Sequence, residues 1–111
     1  MARYRKSLGN HGEDFAAALL EDMNYDIMER NFRTRFGEID IIARKDGVLH
    51  FIEVKTRMQK KFGYPAESVT AEKQRRIRRV AEMYMSQRRL EWEELSFDVM
   101  EVYSDLIVNC M

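Results

Sequence analysis

Two neighbouring stretches in the first half of the chain alternate apolar and polar residues with the two-residue period of a β-strand. They are residues 38–44 and 48–55, and Asp46-Gly47 lies between them. Asp-Gly between two alternating stretches is the strongest short-range signal for a β-hairpin. A two-residue loop pairs Lys45 with Val48, and this pair sets the register of the whole hairpin.

The sequence before the hairpin predicts a helix and a strand. Residues 12–23 are rich in alanine and leucine, which favour a helix, and Ser7 or Asn10 is placed to cap its N-terminus. Residues 25–33 alternate in part and predict a first strand. With the hairpin, the first half of the chain therefore predicts one helix followed by three strands.

The sequence after the hairpin predicts one more helix and one more strand. Residues 58–69 predict a loop, because they contain Pro65, the only proline. Residues 71–89 predict a long helix with Thr70 as N-cap, and its core-facing stripe consists of Ile77, Val80, Ala81 and Tyr84. Residues 95–103 alternate again and predict a fourth strand. The order αβββαβ predicts an α/β fold in which two helices flank a mixed central sheet.

The predicted hairpin brings two acids and a lysine close together. Continuing its register outward puts Asp40 opposite Glu53, and strand alternation puts Lys55 on the same face as Glu53. Adjacent like charges destabilise a strand pair unless a cation compensates, and carboxylate oxygens suit magnesium. A four-residue loop keeps this arrangement, whereas a three-residue loop puts Asp40 and Glu53 on opposite faces. On the hairpin alone, a metal site and ordinary solvated polar residues are both open interpretations.

A third acid and a second lysine are predicted to face the sheet from the two helices. Glu13 lies on the same helix face as a small apolar stripe, which consists of Ala16, Ala17 and Leu20. Lys73 has the same placement over the apolar stripe of the second helix. The alternative for Glu13 is a first-turn acid that favours the helix dipole. The alternative for Lys73 is a side chain that extends along apolar surface to solvent.

The second helix also carries a basic face that predicts contact with phosphates. Arg75, Arg78 and Arg79 lie on this face and Arg76 lies on its flank. Like charges four residues apart are unfavourable on an isolated helix, and a phosphate backbone would offset that cost. Further basic residues around the hairpin extend the surface, namely Arg33, Arg35, Arg57, Lys60 and Lys61. The alternative is a solvated face balanced by Glu72, Glu82 and Glu91.

Composition limits the classes of protein to which the chain can belong. Its 111 residues predict a single domain over residues 1–111, and the formal net charge of zero places any attraction to nucleic acid in local patches. The only cysteine, Cys110, rules out an internal disulfide and fits a cytoplasmic protein. No stretch is apolar enough to predict a membrane span.

The ordered set of motifs resembles the PD-(D/E)XK nuclease superfamily, and in particular its YraN-like branch, which is related to Holliday-junction resolvases. The resemblance covers roughly residues 8–103. The residues that carry it are Gly12-Glu13, Arg30-Asn31, Gly37-Glu38-Ile39-Asp40-Ile41-Ile42-Ala43, Phe51-Ile52-Glu53-Val54-Lys55-Thr56-Arg57, Phe62-Gly63-x-Pro65, Val69-Thr70-x-x-Lys73 and Phe97-Asp98-Val99. The proline of the superfamily's name is replaced here by Ile39.

The resemblance implies a restriction-endonuclease-like core and a function in DNA hydrolysis. It implies that Asp40, Glu53 and Glu13 bind Mg²⁺, with Mn²⁺ as a substitute, and that Lys55 acts on the attacking water. The residues expected to contact nucleic acid are Lys73, Arg75, Arg76, Arg78, Arg79 and Arg57. The expected substrate is DNA at branched structures, and resolving a junction requires two active sites and hence a homodimer. The alternative is a non-catalytic nucleic-acid-binding protein that retains the nuclease fold.

Overall fold

The chain folds into a helix, three strands, a second helix and a fourth strand, as the sequence predicts. The computed structural model describes residues 2–57, 70–91 and 94–103, and for residues 2–11 it describes the backbone alone. The elements are α1 (Ala2–Asp22), β1 (Asp26–Thr34), β2 (Gly37–Lys45), β3 (Val48–Arg57), α2 (Ala71–Arg88) and β4 (Glu94–Tyr103). The predicted loop at 58–69 lies outside the described residues. In the described part of the chain, no helix is long and apolar enough to span a membrane.

One four-stranded mixed sheet, in the order β1-β2-β3-β4, forms the centre of the fold. Its first two strand pairs are antiparallel and the pair of β3 with β4 is parallel. Adjacent residues of β3 point to opposite faces, so that Phe51 packs with α2 and Ile52 packs with α1. The two helices therefore cover opposite faces of the sheet, and two separate apolar clusters hold them there.

The predicted start of the first helix is wrong, whereas the predicted start of the second is confirmed. Helix α1 begins at Ala2, so Ser7 and Asn10 lie inside it and do not cap it. The segment before residue 12 is rich in good helix formers, and the cost of Gly9, about 1 kcal/mol, does not break the helix. In α2 the Thr70 side chain accepts a hydrogen bond from the Lys73 backbone N–H at 3.1 Å, which is the predicted cap.

The hairpin forms with the predicted two-residue turn and the predicted register near the turn. Asp46 and Gly47 both have positive φ, 51° and 79°, as a turn that matches the strand twist requires. Pairing runs from Lys45 opposite Val48 outward to Ile41 opposite Ile52, where the ladder ends.

Beyond that last pair the sheet divides into two limbs, an arrangement we call the strand fork. On one limb β2 continues alongside β1 until Thr34 pairs with Gly37. On the other limb β3 continues alongside β4 until Arg57 pairs with Tyr103. Asp40 directly precedes the last β2–β3 pair and Glu53 directly follows it, so both residues lie at the base of the strand fork.

A close approach between α1 and β3 fixes the distance of Glu13 from the strand fork. Gly12 is buried, and a Cβ atom at this position would lie 2.0 Å from Oγ1 and 3.1 Å from Cβ of Thr56. Only glycine therefore allows the helix to lie directly on β3 at this point. The next residue, Glu13, is brought to the base of the strand fork by this contact.

We expect Gly12→Ala to destabilise the fold by about 1–3 kcal/mol, because overpacking outweighs the gain of about 1 kcal/mol in helix propensity. Urea unfolding of the purified variant measures the change. The matched test repeats the substitution in a Thr56→Ala background, where the destabilisation should be clearly smaller because the clashing hydroxyl is gone and only the 3.1 Å approach to Cβ remains. Equal destabilisation in both backgrounds would show that the contact with Thr56 does not explain the glycine.

Candidate functional site

The carboxylate of Asp40 closes the end of the β2–β3 ladder. Its Oδ2 accepts a hydrogen bond from the backbone N–H of Val54 at 2.7 Å. This N–H points towards β2, so the side chain takes the place that a β2 carbonyl would fill if the ladder continued. Asp40 is therefore held firmly at the point where the strands part.

Three carboxylates lie together at this point. Glu13, Glu38 and Asp40 each offer an oxygen, and these oxygens lie within 4.8 Å of one another. Glu13 reaches the cluster from α1, as its helix position predicts, while the other two come from β2. Sequence reasoning did not select Glu38 as a site residue, although its spacing of two from Asp40 on a strand was a signal that it shares the same face.

The structure places Asp40 and Glu53 on different sides of the sheet, which differs from the single face predicted from the hairpin. Asp40 lies with Glu13 of α1, whereas Glu53 contacts Lys73 of α2. The alternation of β2 breaks here, because Ile39 packs on the α2 side and Ile41 on the α1 side. With Ile39 and Ile41 on opposite sides, Asp40 does not lie on the face that regular alternation from Ile42 would give it.

The break in alternation coincides with an irregularity in the neighbouring strand. Asn31 of β1 has a left-handed backbone conformation, with φ 55°, and it is missing from the paired residues of β1 and β2. Asn31 lies opposite Asp40, because Arg30 pairs with Ile41 and Phe32 pairs with Ile39 on either side. Glu53 nevertheless remains at the base of the strand fork, on the opposite limb.

Burial of Asp40 among other acids raises its pKa from the ordinary value of 3.8 to about 7. Burial is the main cause, and the negative charges of Glu13 and Glu38 add to it. The Val54 N–H acts in the opposite direction, because it stabilises the charged form of the carboxylate. A site that holds Asp40 beside two other acids at this cost to its ionisation is well suited to bind a cation.

Glu53 is paired with a lysine on one oxygen only. Lys73 Nζ donates to its Oε1 at 3.0 Å. The second oxygen, Oε2, is buried and has no hydrogen-bond partner among the described residues. An orphaned carboxylate oxygen at the strand fork is well suited to bind a cation. Sequence reasoning had selected Lys73 for its position but had not paired it with Glu53.

Lys55 lies on the same face of β3 as Glu53, as predicted. The β3–β4 pairing is unbroken from Val48 to Arg57, so the alternation of side chains is regular through this segment. The Arg57 Nε lies 3.5 Å from Glu101 Oε1 on β4. Arg57 is therefore engaged within the sheet, and its predicted contact with nucleic acid remains a prediction.

The arginines of α2 lie exposed beside the turn that joins β1 and β2. Arg79 and Arg35 both lie over the ring of Phe36, at 4.4 and 4.9 Å from its centroid, and Arg78 lies over Phe97 at 5.9 Å. We call the exposed set the arginine surface, and its members are Arg35, Arg75, Arg76, Arg78 and Arg79. Glu72 and Glu82 border it, and Arg76 forms an i,i+4 ion pair with Glu72 at 3.2 Å.

A cavity of about 630 Å³ joins this surface to the strand fork. Its charged lining includes Glu38 and Glu53 at the fork and Lys73, Arg76 and Arg78 on α2. Its floor is apolar and includes Phe51, Ile77 and Phe97. The arrangement therefore places carboxylates that can bind a cation next to guanidinium groups that can bind phosphate.

The family model and the individual relatives that match this chain all belong to the same protein family. The model of the uncharacterised protein family UPF0102 matches residues 12–102. A UPF0102 protein from Dictyoglomus turgidum is 47% identical over 97 residues, which are 87% of this chain and 82% of that protein. One from Caldicellulosiruptor saccharolyticus is 45% identical over 102 residues, 92% of this chain and 86% of that protein.

A third relative extends the comparison to another organism. A UPF0102 protein from Clostridium perfringens is 48% identical over 102 residues, which are 92% of this chain and 84% of that protein. The match to the family model includes Glu13, all of β1, β2, β3 and α2, and β4 as far as residue 102. On this match and these identities, the chain belongs to the UPF0102 family.

Proposed function

We propose that this protein is a metal-dependent nuclease of the PD-(D/E)XK type that hydrolyses phosphodiester bonds in DNA. The observation that carries the proposal is the cluster of Glu13, Glu38 and Asp40 at the strand fork, within 4.8 Å of one another. Burial of Asp40 and the negative charges of Glu13 and Glu38 beside it make an ionised Asp40 costly without a cation. The resemblance of the Asp40, Glu53-x-Lys55 pattern to that superfamily supports the same function.

The carboxylates have one role in this proposal, which is to hold a hard divalent cation. Asp40, Glu13 and Glu38 would supply oxygens from one side of the strand fork and Glu53 from the other limb. Mg²⁺ prefers such oxygens, and Mn²⁺ can replace it. When bound, the cation supplies a water of lowered pKa and neutralises charge on the phosphate.

Lys55 has a separate role, which follows from its charge and its place on β3. Lys55 follows Glu53 by two residues on the same face of the strand. Its positive charge can orient the attacking water and stabilise the negative charge that develops on the phosphate oxygens. Asp40 is already oriented by the Val54 N–H, so it requires no rearrangement to act as a ligand.

The proposed substrate is DNA, and the arginine surface is the proposed path of its backbone. Guanidinium groups form strong hydrogen bonds with phosphate. Such contacts do not depend on the base sequence of the DNA. We further propose branched DNA as the substrate structure, a homodimer to supply two active sites, and the cytoplasm as the location.

We expect replacement of Arg75, Arg78 and Arg79 together by glutamine to weaken DNA binding roughly equally for all sequences. The salt dependence of log K should flatten by about 0.9 for each phosphate that the variant no longer neutralises. Fluorescence anisotropy at several salt concentrations measures this slope. The matched control is Arg44→Gln, which changes an arginine paired with Asp26 on the far side of the hairpin. An unchanged slope in the triple variant would show that the arginine surface does not touch the DNA backbone.

One observation favours a second candidate function, a non-catalytic nucleic-acid-binding protein. Lys73 already neutralises part of the charge on Glu53, as a fold that binds no metal would require. In this alternative, DNA binding is sensitive to salt but does not depend on a divalent cation. Metal dependence therefore separates the two functions.

A cleavage assay tests the proposed function. The substrates are single-stranded, duplex, flap and four-way DNA, each with Mg²⁺, Mn²⁺ or EDTA, and Lys55→Ala serves as the inactive control. The proposal expects cleavage with either metal and none with EDTA. Binding without cleavage of any substrate would favour the non-catalytic alternative.

A further inference from the structure

The ion pair between Lys73 and Glu53 joins the candidate metal centre to the arginine surface. The ammonium lies 3.0 Å from Glu53 Oε1, and the two side chains are 38% and 28% exposed. The backbone of Lys73 is fixed by the Thr70 cap, so the long side chain alone spans the gap from α2 to β3. The hydrogen bond from Lys73 to Glu53 therefore links the arginine-bearing helix directly to an acid of the strand fork.

Local electrostatics do not favour a cation at the position of Lys73. It lies in the first turn of α2, where the helix dipole favours negative charge. Arg76 lies three residues further on the same side of the helix and is a like charge, with Glu72 as its ion-pair partner at 3.2 Å. The negative charge of Glu53 compensates for this unfavourable environment, because the Lys73 ammonium donates a hydrogen bond to its carboxylate.

We propose that Lys73 acts as an internal stand-in for the metal at Glu53. Binding of a divalent cation to the carboxylates then displaces the ammonium, which becomes available to a phosphate of the substrate. This inference rests on the proposed function. It makes Lys73 a positioning residue that couples the two binding events, so metal and DNA each tighten the binding of the other.

Two measurements on the full-length chain test the coupling. Calorimetry gives the Kd of Mg²⁺ without DNA, and anisotropy gives the affinity for a labelled duplex in EDTA and in Ca²⁺, a hard cation that likewise takes oxygen ligands. We expect Lys73→Met to bind Mg²⁺ about three- to fivefold more tightly than wild type, because the competing partner of Glu53 is gone. In wild type we expect the affinity for DNA to be about 5- to 20-fold higher in Ca²⁺ than in EDTA. In Lys73→Met this ratio should fall to about half of the wild-type value or less.

Two further variants separate coupling from simple loss of charge or of fold. Arg76→Met removes a cation three residues further along α2, and it should weaken DNA binding in EDTA and in Ca²⁺ by the same factor. Lys73→Gln keeps a hydrogen-bond donor without the charge, and it should match Lys73→Met in metal affinity if both retain the helical circular dichroism of wild type.

The outcomes distinguish this inference from the proposed function on which it rests. Absence of Mg²⁺ binding by wild type would overturn both. Binding of Mg²⁺ by wild type, with equal or weaker binding by folded Lys73→Met and Lys73→Gln, would overturn the stand-in role alone. Tighter binding of Mg²⁺ by both variants, with the coupling to DNA reduced, is the result that the inference expects.

Discussion

DNA cleavage by Asp40→Asn, Glu53→Gln and Lys55→Ala is expected to fall by at least about 100-fold in each variant. The two carboxylates are proposed ligands whose loss removes a negative charge and one oxygen, and Lys55 is the proposed source of positive charge at the attacking water. Single-turnover rates with Mg²⁺ measure the effect, because they report the chemical step rather than product release.

The control for these variants is Glu21→Gln, which changes an exposed acid on the same helix as Glu13 and far from the carboxylate cluster. It should cleave at the wild-type rate. Glu13→Gln should lose activity, since Glu13 lies within the cluster. A folded variant of Asp40, Glu53 or Lys55 that cleaves at the wild-type rate would remove that residue from the mechanism.

Metal-free Asp40→Asn is expected to be more stable than wild type at alkaline pH, by about 1 kcal/mol or about 4 °C in melting temperature. The pKa of Asp40 rises from 3.8 to about 7 on folding, mainly through burial. Its stabilising contribution is therefore complete below pH 3.8 and is lost as the pH rises through about 7. Asparagine does not titrate, so its advantage should be largest above pH 7 and should shrink towards pH 4.

Melting curves in EDTA from about pH 3 to about pH 8.5, a range that spans both pKa values, measure this difference. Asp40→Ala is the matched variant, because it removes the charge and also the acceptor of the Val54 N–H. It should be less stable than Asp40→Asn by about 1–3 kcal/mol, the cost of an unpaired buried donor. A metal-free Asp40→Asn that melts below wild type at high pH would show that the charge of Asp40 stabilises the fold.

The local features of the fold were predictable from the sequence because neighbouring residues determine them. The turn at Asp46-Gly47 requires positive φ, and its length fixes the register as far as Ile41 and Ile52. The Thr70 cap follows in the same way from side-chain chemistry at a helix start. Helical spacing alone placed Glu13 over the buried face of α1.

The strand fork was not predictable, because it depends on strands that are distant in sequence. Beyond Ile41, β2 keeps its pairing with β1 alone, and β3 keeps its pairing with β4, whose partner residues lie more than 40 positions away in the sequence. The break in alternation at Asp40 lies opposite Asn31 of β1, whose left-handed backbone conformation the hairpin pattern does not predict. Hairpin alternation was therefore correct for Lys55 but not for the shared face of Asp40 and Glu53.

Sequence reasoning missed one residue of the site and one contact within it, for different reasons. Glu38 was within reach of sequence reasoning, because it lies two residues before Asp40 on the same strand. The pairing of Lys73 with Glu53 was not, because 20 residues separate them and only the packing of α2 on the sheet brings them together.

The most direct measurement of the central claim, a divalent cation site at the strand fork, is thermal melting with EDTA and with magnesium. A ligand stabilises only the state that binds it, by about 1.4 kcal/mol at a concentration tenfold above its Kd. The claim predicts that millimolar magnesium raises the melting temperature of wild type and that Asp40→Asn loses most of this gain. An unchanged melting temperature of wild type in magnesium, together with a lower one for Asp40→Asn in EDTA, would contradict it.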